Sequence, residues 1–235
     1  LFVVGVPESV LADKIEPFES EFPASIKLAY LPRPGMVRLR LTSRGKRNDD
    51  LQAEVDAATG VLRKALGDAL MDGSSKPIER YVGILLQEKG LTVGTAESCT
   101  GGGIAAALVN VPGSSAYFEG GLVAYSYGIK ETLLGVNHAT IVEKGAVSEE
   151  VVRQMSEAAR KNLGVDFAVA VSGIAGPGGG TPDKPVGTSW ISIAGPERTI
   201  AEKFVFGKVR ERNIQKTIFA ALNLLVKEVE DYPVS

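Results

Sequence analysis

The stretch Leu91-Thr92-Val93-Gly94-Thr95-Ala96-Glu97-Ser98-Cys99-Thr100-Gly101-Gly102-Gly103 sets the fold of this chain. Residues 91–96, with apolar Leu91, Val93 and Ala96, read as a buried strand. A short, polar, glycine-dense turn follows. Apolar residues then return at helical spacing over about 100–109. A strand passing through such a turn into a helix is the opening of a strand–helix unit in an α/β domain.

The alternation continues outward in both directions. Downstream, residues 121–125 read as a strand and 129–134 as a short helix. Ser148 is placed to cap a long helix to Leu163, with Glu149 and Glu150 near its positive end. Residues 167–172 form an almost wholly apolar strand, as expected of one buried on both faces. Strands at 187–193 and 199–206 look hairpin-connected, and a helix over 210–229 closes the chain. The pattern predicts a three-layer α/β/α sandwich with a mixed sheet. Upstream, a helix over 77–89 has Pro77 in its first turn. Asp72, Gly73, Ser74, Ser75 and Lys76 break the pattern, so a domain boundary is expected near residue 75.

Residues 1–75 then form a small α+β domain and 76–235 the α/β domain. In the first, Ser9 is a candidate cap for a helix over 10–18, with strands at 26–30 and 36–41 and a turn at Pro32, Arg33, Pro34 and Gly35. Val37, Leu39 and Leu41 alternate with Arg38 and Arg40, as on a half-buried strand. A helix is expected over 51–70.

Composition narrows the function. The chain has 235 residues, 44% hydrophobic, with a net charge of -2. That charge gives no global attraction to nucleic acid or anionic lipid. No apolar run nears the roughly 20 residues needed to cross a bilayer. Cys99 and His138 are the only cysteine and the only histidine. No intrachain disulfide and no two-histidine metal site can form, and any Ser-His-Asp triad would have to use His138. The composition fits a reducing, cytoplasmic setting. The chain opens on Leu1 in what reads as mid-protein sequence, which suggests a piece of a longer protein.

Three constellations could carry chemistry. Ser98 lies where a strand ends and a helix begins, a place where free amides can hold developing negative charge. Thr100, Gly101 and Gly102 would supply those amides; the alternative is a tight turn with Ser98 or Thr100 as a cap. Lys130 follows Tyr125-Ser126-Tyr127-Gly128-Ile129 in the first turn of a short helix. An apolar setting there would lower its pKa toward neutrality and make it a base, and the alternative is a solvated lysine. Ser172-Gly173-Ile174-Ala175-Gly176-Pro177-Gly178-Gly179-Gly180 follows the most buried strand, where a glycine loop can cradle a phosphate or simply be flexible. Arg210 or Arg212 could grip a substrate phosphate. Cys99 is a rival nucleophile, because helix N-termini favour thiolates.

Six ordered motifs then resemble one family. They are Ala96-Glu97-Ser98-Cys99-Thr100-Gly101-Gly102, Pro112-Gly113-Ser114-Ser115, Tyr125-Ser126 with Lys130, Gly145-Ala146-Val147-Ser148, Ser172-Gly173-Ile174-Ala175-Gly176-Pro177 and Lys184-Pro185-Val186-Gly187-Thr188. The run is similar to the carboxyl-terminal domain of the competence-damage-inducible CinA proteins, a bacterial nicotinamide-nucleotide amidohydrolase, over about residues 76–230. The resemblance implies a Ser/Lys amidohydrolase acting on nicotinamide mononucleotide in pyridine nucleotide recycling. It places the nucleophile at Ser98, the base at Lys130 and an assisting tyrosine at Tyr125. On this mechanism substrate contacts are expected from Thr100, Gly101, Gly102, Ser172, Gly173, Gly176 and Arg210, with no metal and no cofactor. The chain departs from some relatives in reading Gly207-Lys208-Val209-Arg210 before its last helix, so which arginine takes the phosphate stays open.

Residues 1–75 resemble the family's KH-like segment, which in longer members follows a further amino-terminal domain. RNA-gripping KH domains use a G-x-x-G loop, and none occurs in residues 1–75. The segment carries 10 Lys/Arg and 11 Asp/Glu. Despite the local cluster of Arg38, Arg40, Arg44, Lys46 and Arg47, a structural role is expected rather than nucleic-acid binding. The expected partners are a small nucleotide substrate and further copies of the chain, with no membrane. Two rival readings stay open: a non-catalytic nucleotide-binding module of a larger protein, and a metal-dependent phosphoryl-transfer enzyme using the glycine loops.

Overall fold

The computed structural model describes residues 1–4, 6, 8–33, 36–45, 50–67 and 77–233. The chain divides into two compact units, Leu1–Ser75 and Lys76–Ser235.

The first unit is a three-stranded antiparallel sheet with two helices: β1 (Phe2–Val4), α1 (Glu8–Glu19), β2 (Ile26–Arg33), β3 (Met36–Ser43) and α2 (Leu51–Leu66). The strand order is β1-β3-β2. Val37 and Leu39 on β3 are buried, while Arg38 and Arg40 between them are exposed. The alternation puts one face of the sheet against Leu11 and Ile15 of α1 and Leu62 and Leu66 of α2. Asp50 caps α2 by accepting from the Ala53 amide at 3.1 Å. α1 begins at Glu8, so Ser9 lies within its first turn rather than at its cap. β1 is too short to show a two-residue period and was not legible. β2 runs through Pro32 and Arg33, where a turn was expected. Pro34, Gly35 and the predicted linker 72–76 lie outside the described residues.

The second unit contains α3 (Ile78–Lys89), β4 (Val93–Glu97), α4 (Gly103–Val109), β5 (Phe118–Val123), α5 (Tyr127–Leu134), α6 (His138–Lys144), α7 (Glu149–Leu163), β6 (Phe167–Gly173), β7 (Thr188–Ala194), β8 (Thr199–Val205) and α8 (Arg210–Asp231). The sheet order is β5-β4-β6-β7-β8. β4 runs parallel to both β5 and β6, and β7 and β8 add antiparallel, so the sheet is mixed. α7 packs on one face, with α5 and α6 against it. α8 packs on the other, with α3 and α4. The three-layer sandwich is the expected one. Val151, Val152, Met155 and Ala159 of α7 meet Ala96, Ala168 and Ala170 in one core. β6 is buried from Phe167 to Ser172, which accounts for its continuous apolar run.

Three boundaries move. α4 starts at Gly103 rather than near Thr100, because Gly101 and Gly102 adopt left-handed φ of 62° and 95° and cannot belong to a right-handed helix. β5 begins and ends earlier than expected. α6, a seven-residue helix capped by Asn137, was missed for want of a full amphipathic period. No described helix is long and apolar enough to cross a membrane.

Candidate functional site

The site lies at the carboxyl ends of the parallel strands. Ser98 is the residue after β4. Its amide donates to the Val171 carbonyl on β6 at 3.1 Å, and the Glu97 carbonyl accepts from the Ala124 amide at 2.8 Å. The turn is therefore tied to the strands on both sides, and Ser98 is 7% exposed.

α5 brings Lys130 to it. Ser126 caps α5, accepting from the Ile129 amide at 3.3 Å. Lys130, one turn on, points inward and is 1% exposed. Its Nζ stands 2.9 Å from Ser98 Oγ, 2.7 Å from the Ala124 carbonyl and 3.0 Å from the Tyr125 carbonyl. None of these partners carries a negative charge. Burial lowers the Lys130 pKa from 10.5 to about 8, against a smaller opposing effect of Cys99. A neutral amine has two N–H bonds and one lone pair. The two carbonyls can accept both protons, which turns the lone pair toward the Ser98 hydroxyl. The arrangement suits a base that takes the serine proton.

Tyr125 enters through its backbone. Its carbonyl meets Lys130, whereas its largely exposed hydroxyl accepts from Arg210 Nη2 at 3.4 Å. Arg210 Nη1 donates to the Gly176 carbonyl at 2.8 Å. Asn213, one turn further along α8 and 2% exposed, donates to the Ala175 and Gly207 carbonyls at 3.0 and 2.9 Å. Its Oδ1 accepts from the Gly207 amide at 3.0 Å. The glycine-rich loop is thus stitched to the start of α8. Sequence reasoning missed Asn213, and a polar residue on an amphipathic helix gave no signal for it.

The expected amides are partly engaged already. Gly101 N donates to the Ser98 carbonyl at 3.1 Å, and Gly102 N donates to Glu97 Oε2 at 3.1 Å. Neither amide is free to meet a ligand. The Thr100 hydroxyl also donates to Glu97, at 2.7 Å. The amides of Cys99 and Thr100 donate to no backbone carbonyl among the described residues. Glu97 was also missed, although an acidic residue just before a helix is the signal that marks such a cap. Ser172 is buried and spends its hydroxyl on the Ala146 carbonyl at 2.7 Å. Gly173 answers to packing: a Cβ there would stand 2.6 Å from Ser189 Oγ, 2.9 Å from the Thr188 carbonyl and 3.0 Å from Cys99 Sγ. Ser98, Lys130 and the Tyr125 carbonyl therefore meet at one point, while Arg210, Gly176 and the Tyr125 hydroxyl meet at a second.

Cys99 does not compete. It is buried, and burial together with the Glu97 charge pushes its thiol up to about 11. It is a protonated thiol at neutral pH. His138 is exposed and pairs with Glu131 Oε1 at 2.9 Å.

A mixed α/β/α domain with a buried Ser–Lys pair, preceded by a small KH-like α+β unit, defines the class. Within that class the chain belongs to the CinA family. The CinA C-terminal domain matches residues 75–229, and the damage-inducible protein CinA KH domain matches residues 1–70. A CinA-like protein of Flavobacterium psychrophilum is 40% identical over 230 residues, 97% of this chain and 55% of that protein. One of Chloroherpeton thalassium is 41% identical over 229 residues, 96% of this chain and 54% of that protein. The chain spans about half the length of the curated relatives it matches. Among solved structures, the competence/damage inducible protein CihA of Agrobacterium tumefaciens aligns with a TM-score of 0.64 at 36% identity, covering 68% of this chain and 100% of that one. The competence damage-inducible protein A of Klebsiella pneumoniae aligns with a TM-score of 0.65 at 34% identity, covering 66% and 97%.

Proposed function

We propose that the second unit hydrolyses a carboxamide, with Ser98 as nucleophile and Lys130 as base, and that its substrate is nicotinamide mononucleotide. The observation that carries the reading is the 2.9 Å contact between Lys130 Nζ and Ser98 Oγ, on a buried lysine whose other partners are carbonyls. The substrate follows from the family resemblance. With a Lys130 pKa of about 8, about a tenth of the lysine is neutral at pH 7.

Neutral Lys130 takes the Ser98 proton as Oγ attacks the carboxamide carbon. The amides of Cys99 and Thr100 hold the oxyanion, in place of the Gly101 and Gly102 amides, which are engaged. The Lys130 ammonium returns the proton to the leaving nitrogen, and ammonia departs. Water, deprotonated by Lys130, then releases nicotinic acid mononucleotide from the acyl-enzyme. Tyr125 contributes the carbonyl that orients Nζ. Arg210 presents a guanidinium beside the glycine loop that can fork onto the phosphate.

The test is ammonia release from nicotinamide mononucleotide by wild type, Ser98→Ala, Lys130→Ala and Cys99→Ala, with and without chelator. Loss in the first two variants and indifference to chelator support the reading. Full activity in Ser98→Ala, or loss confined to Cys99→Ala, overturns it.

A further inference from the structure

Beside the nucleophile sits a buried carboxylate that the acyl chemistry does not use. Glu97 is 1% exposed. Its Oε2 accepts from Thr100 Oγ1, Gly102 N and Ile104 N at 2.7, 3.1 and 3.0 Å, and its Oε1 accepts from Ala105 N at 2.8 Å. Both oxygens act only as acceptors, and no cation pairs with Glu97 among the described residues. Its side chain and that of Ser98 go to different elements, Glu97 to the start of α4 and Ser98 to Lys130 on α5.

The turn offers more donors than one oxyanion needs. A carboxylate that takes three of the amides decides which are left over. The remaining ones belong to Cys99 and Thr100, the two residues that follow the nucleophile, and that of Cys99 lies within reach of its own thiol. Glu97 takes the other three, and its charge adds to the burial that keeps the Cys99 thiol protonated.

We infer that Glu97 is the positioning residue of the nucleophile turn: it reserves the amides of Gly102, Ile104 and Ala105, so that those of Cys99 and Thr100 remain beside Ser98 to hold the oxyanion. Glu97 acts only through Ser98, so this role stands on the Ser/Lys reading of the same turn. The amide partition does not depend on which carboxamide is cleaved.

Two readouts keep the role and the substrate apart. A fluorophosphonate probe reports Ser98 directly: an Oγ–P bond forms, the P–F bond breaks, fluoride leaves and the serine proton passes to Lys130. Ammonia release from nicotinamide mononucleotide reports the substrate. Both are measured in wild type, Glu97→Gln, Thr100→Val and Glu97→Ala with and without acetate, with circular dichroism as the check on folding. Glu97→Gln is expected to label roughly 100-fold more slowly and to lose kcat by a similar factor, with KM within about threefold. Acetate is expected to restore part of the Glu97→Ala rate by re-engaging the three amides. The kcat loss at near-constant KM in folded Glu97→Gln is what a purely structural cap would not produce. Thr100→Val removes one of the four bonds and is expected to cost about tenfold. A folded Glu97→Gln that labels at the wild-type rate, or that changes KM alone, overturns the role. If neither Glu97 variant folds, an unchanged rate in Thr100→Val overturns it. Wild type that labels at Ser98 but releases no ammonia overturns the substrate and leaves the labelling comparison to decide on Glu97. Wild type that does neither overturns both.

Discussion

The Arg210 guanidinium donates to the Gly176 carbonyl at 2.8 Å, which fastens the first turn of α8 to the glycine-rich loop. No carboxylate pairs with Arg210 among the described residues. Its fork can therefore accept an anion without first losing an ion-pair partner. Arg210→Lys keeps the charge and loses the planar fork. We expect KM for nicotinamide mononucleotide to rise roughly tenfold, with a smaller change in kcat. Steady-state kinetics check this, and a fall in kcat at constant KM counts against a binding role.

The Lys130 pKa sets the pH dependence of the reaction. The working base is the neutral amine, so kcat/KM should rise with pH through about 8 and level off above it. A pH–rate profile whose rising limb lies below pH 6 would assign the base to another group.

The same shift makes a stability prediction. The folded-state pKa of about 8 is depressed from 10.5. Between those values the unfolded chain binds more protons at Lys130 than the folded one, so the Lys130 contribution to stability should rise from about pH 8 to 10.5. The raised Cys99, Tyr30 and Tyr81 values act in the opposite direction in wild type and variant alike. The full Lys130 effect is roughly 3 kcal/mol. Lys130→Met should lack that rise. Urea titrations of both proteins across the window read the difference directly.

Gly173→Ala places a methyl within 3.0 Å of Ser189 Oγ, the Thr188 carbonyl and Cys99 Sγ. Two of these neighbours sit in the sheet, and a backbone carbonyl does not swing aside. Overpacking of this kind costs about 1–3 kcal/mol. A lower midpoint of thermal unfolding is the expected result.

Asn213→Asp removes both donors to the Ala175 and Gly207 carbonyls and sets a carboxylate against them. A loss of about 2–4 kcal/mol is expected. Asn213→Ala, which leaves the carbonyls unpaired without opposing charge, should cost less. Chemical denaturation of the pair gives the order.

Much of the fold was legible locally. The two-residue alternation of Val37 and Leu39 and the unbroken apolar run of β6 each announced a strand, and Ser148 with Glu149 and Glu150 announced the start of α7. Elements shorter than one clear period, β1 and α6, were not legible. The start of α4 was misplaced because the glycines at 101 and 102 could have been either helix or turn until their φ angles were known.

Sequence by itself determined that a strand ends at a glycine-dense turn bearing Ser98, that a lysine follows in a later helix, and that the lone histidine leaves no room for a two-histidine metal site. These are properties of residue order and count. Only the tertiary structure decided that Lys130 Nζ reaches Ser98 Oγ across 32 residues, that the Tyr125 carbonyl rather than its hydroxyl meets that amine, and that Glu97 claims the amides of Gly102, Ile104 and Ala105. The reason is geometric: which donor faces which acceptor depends on the parallel register of β4 between β5 and β6 and on the depth at which α5 packs. Neither is encoded in any single stretch of the chain.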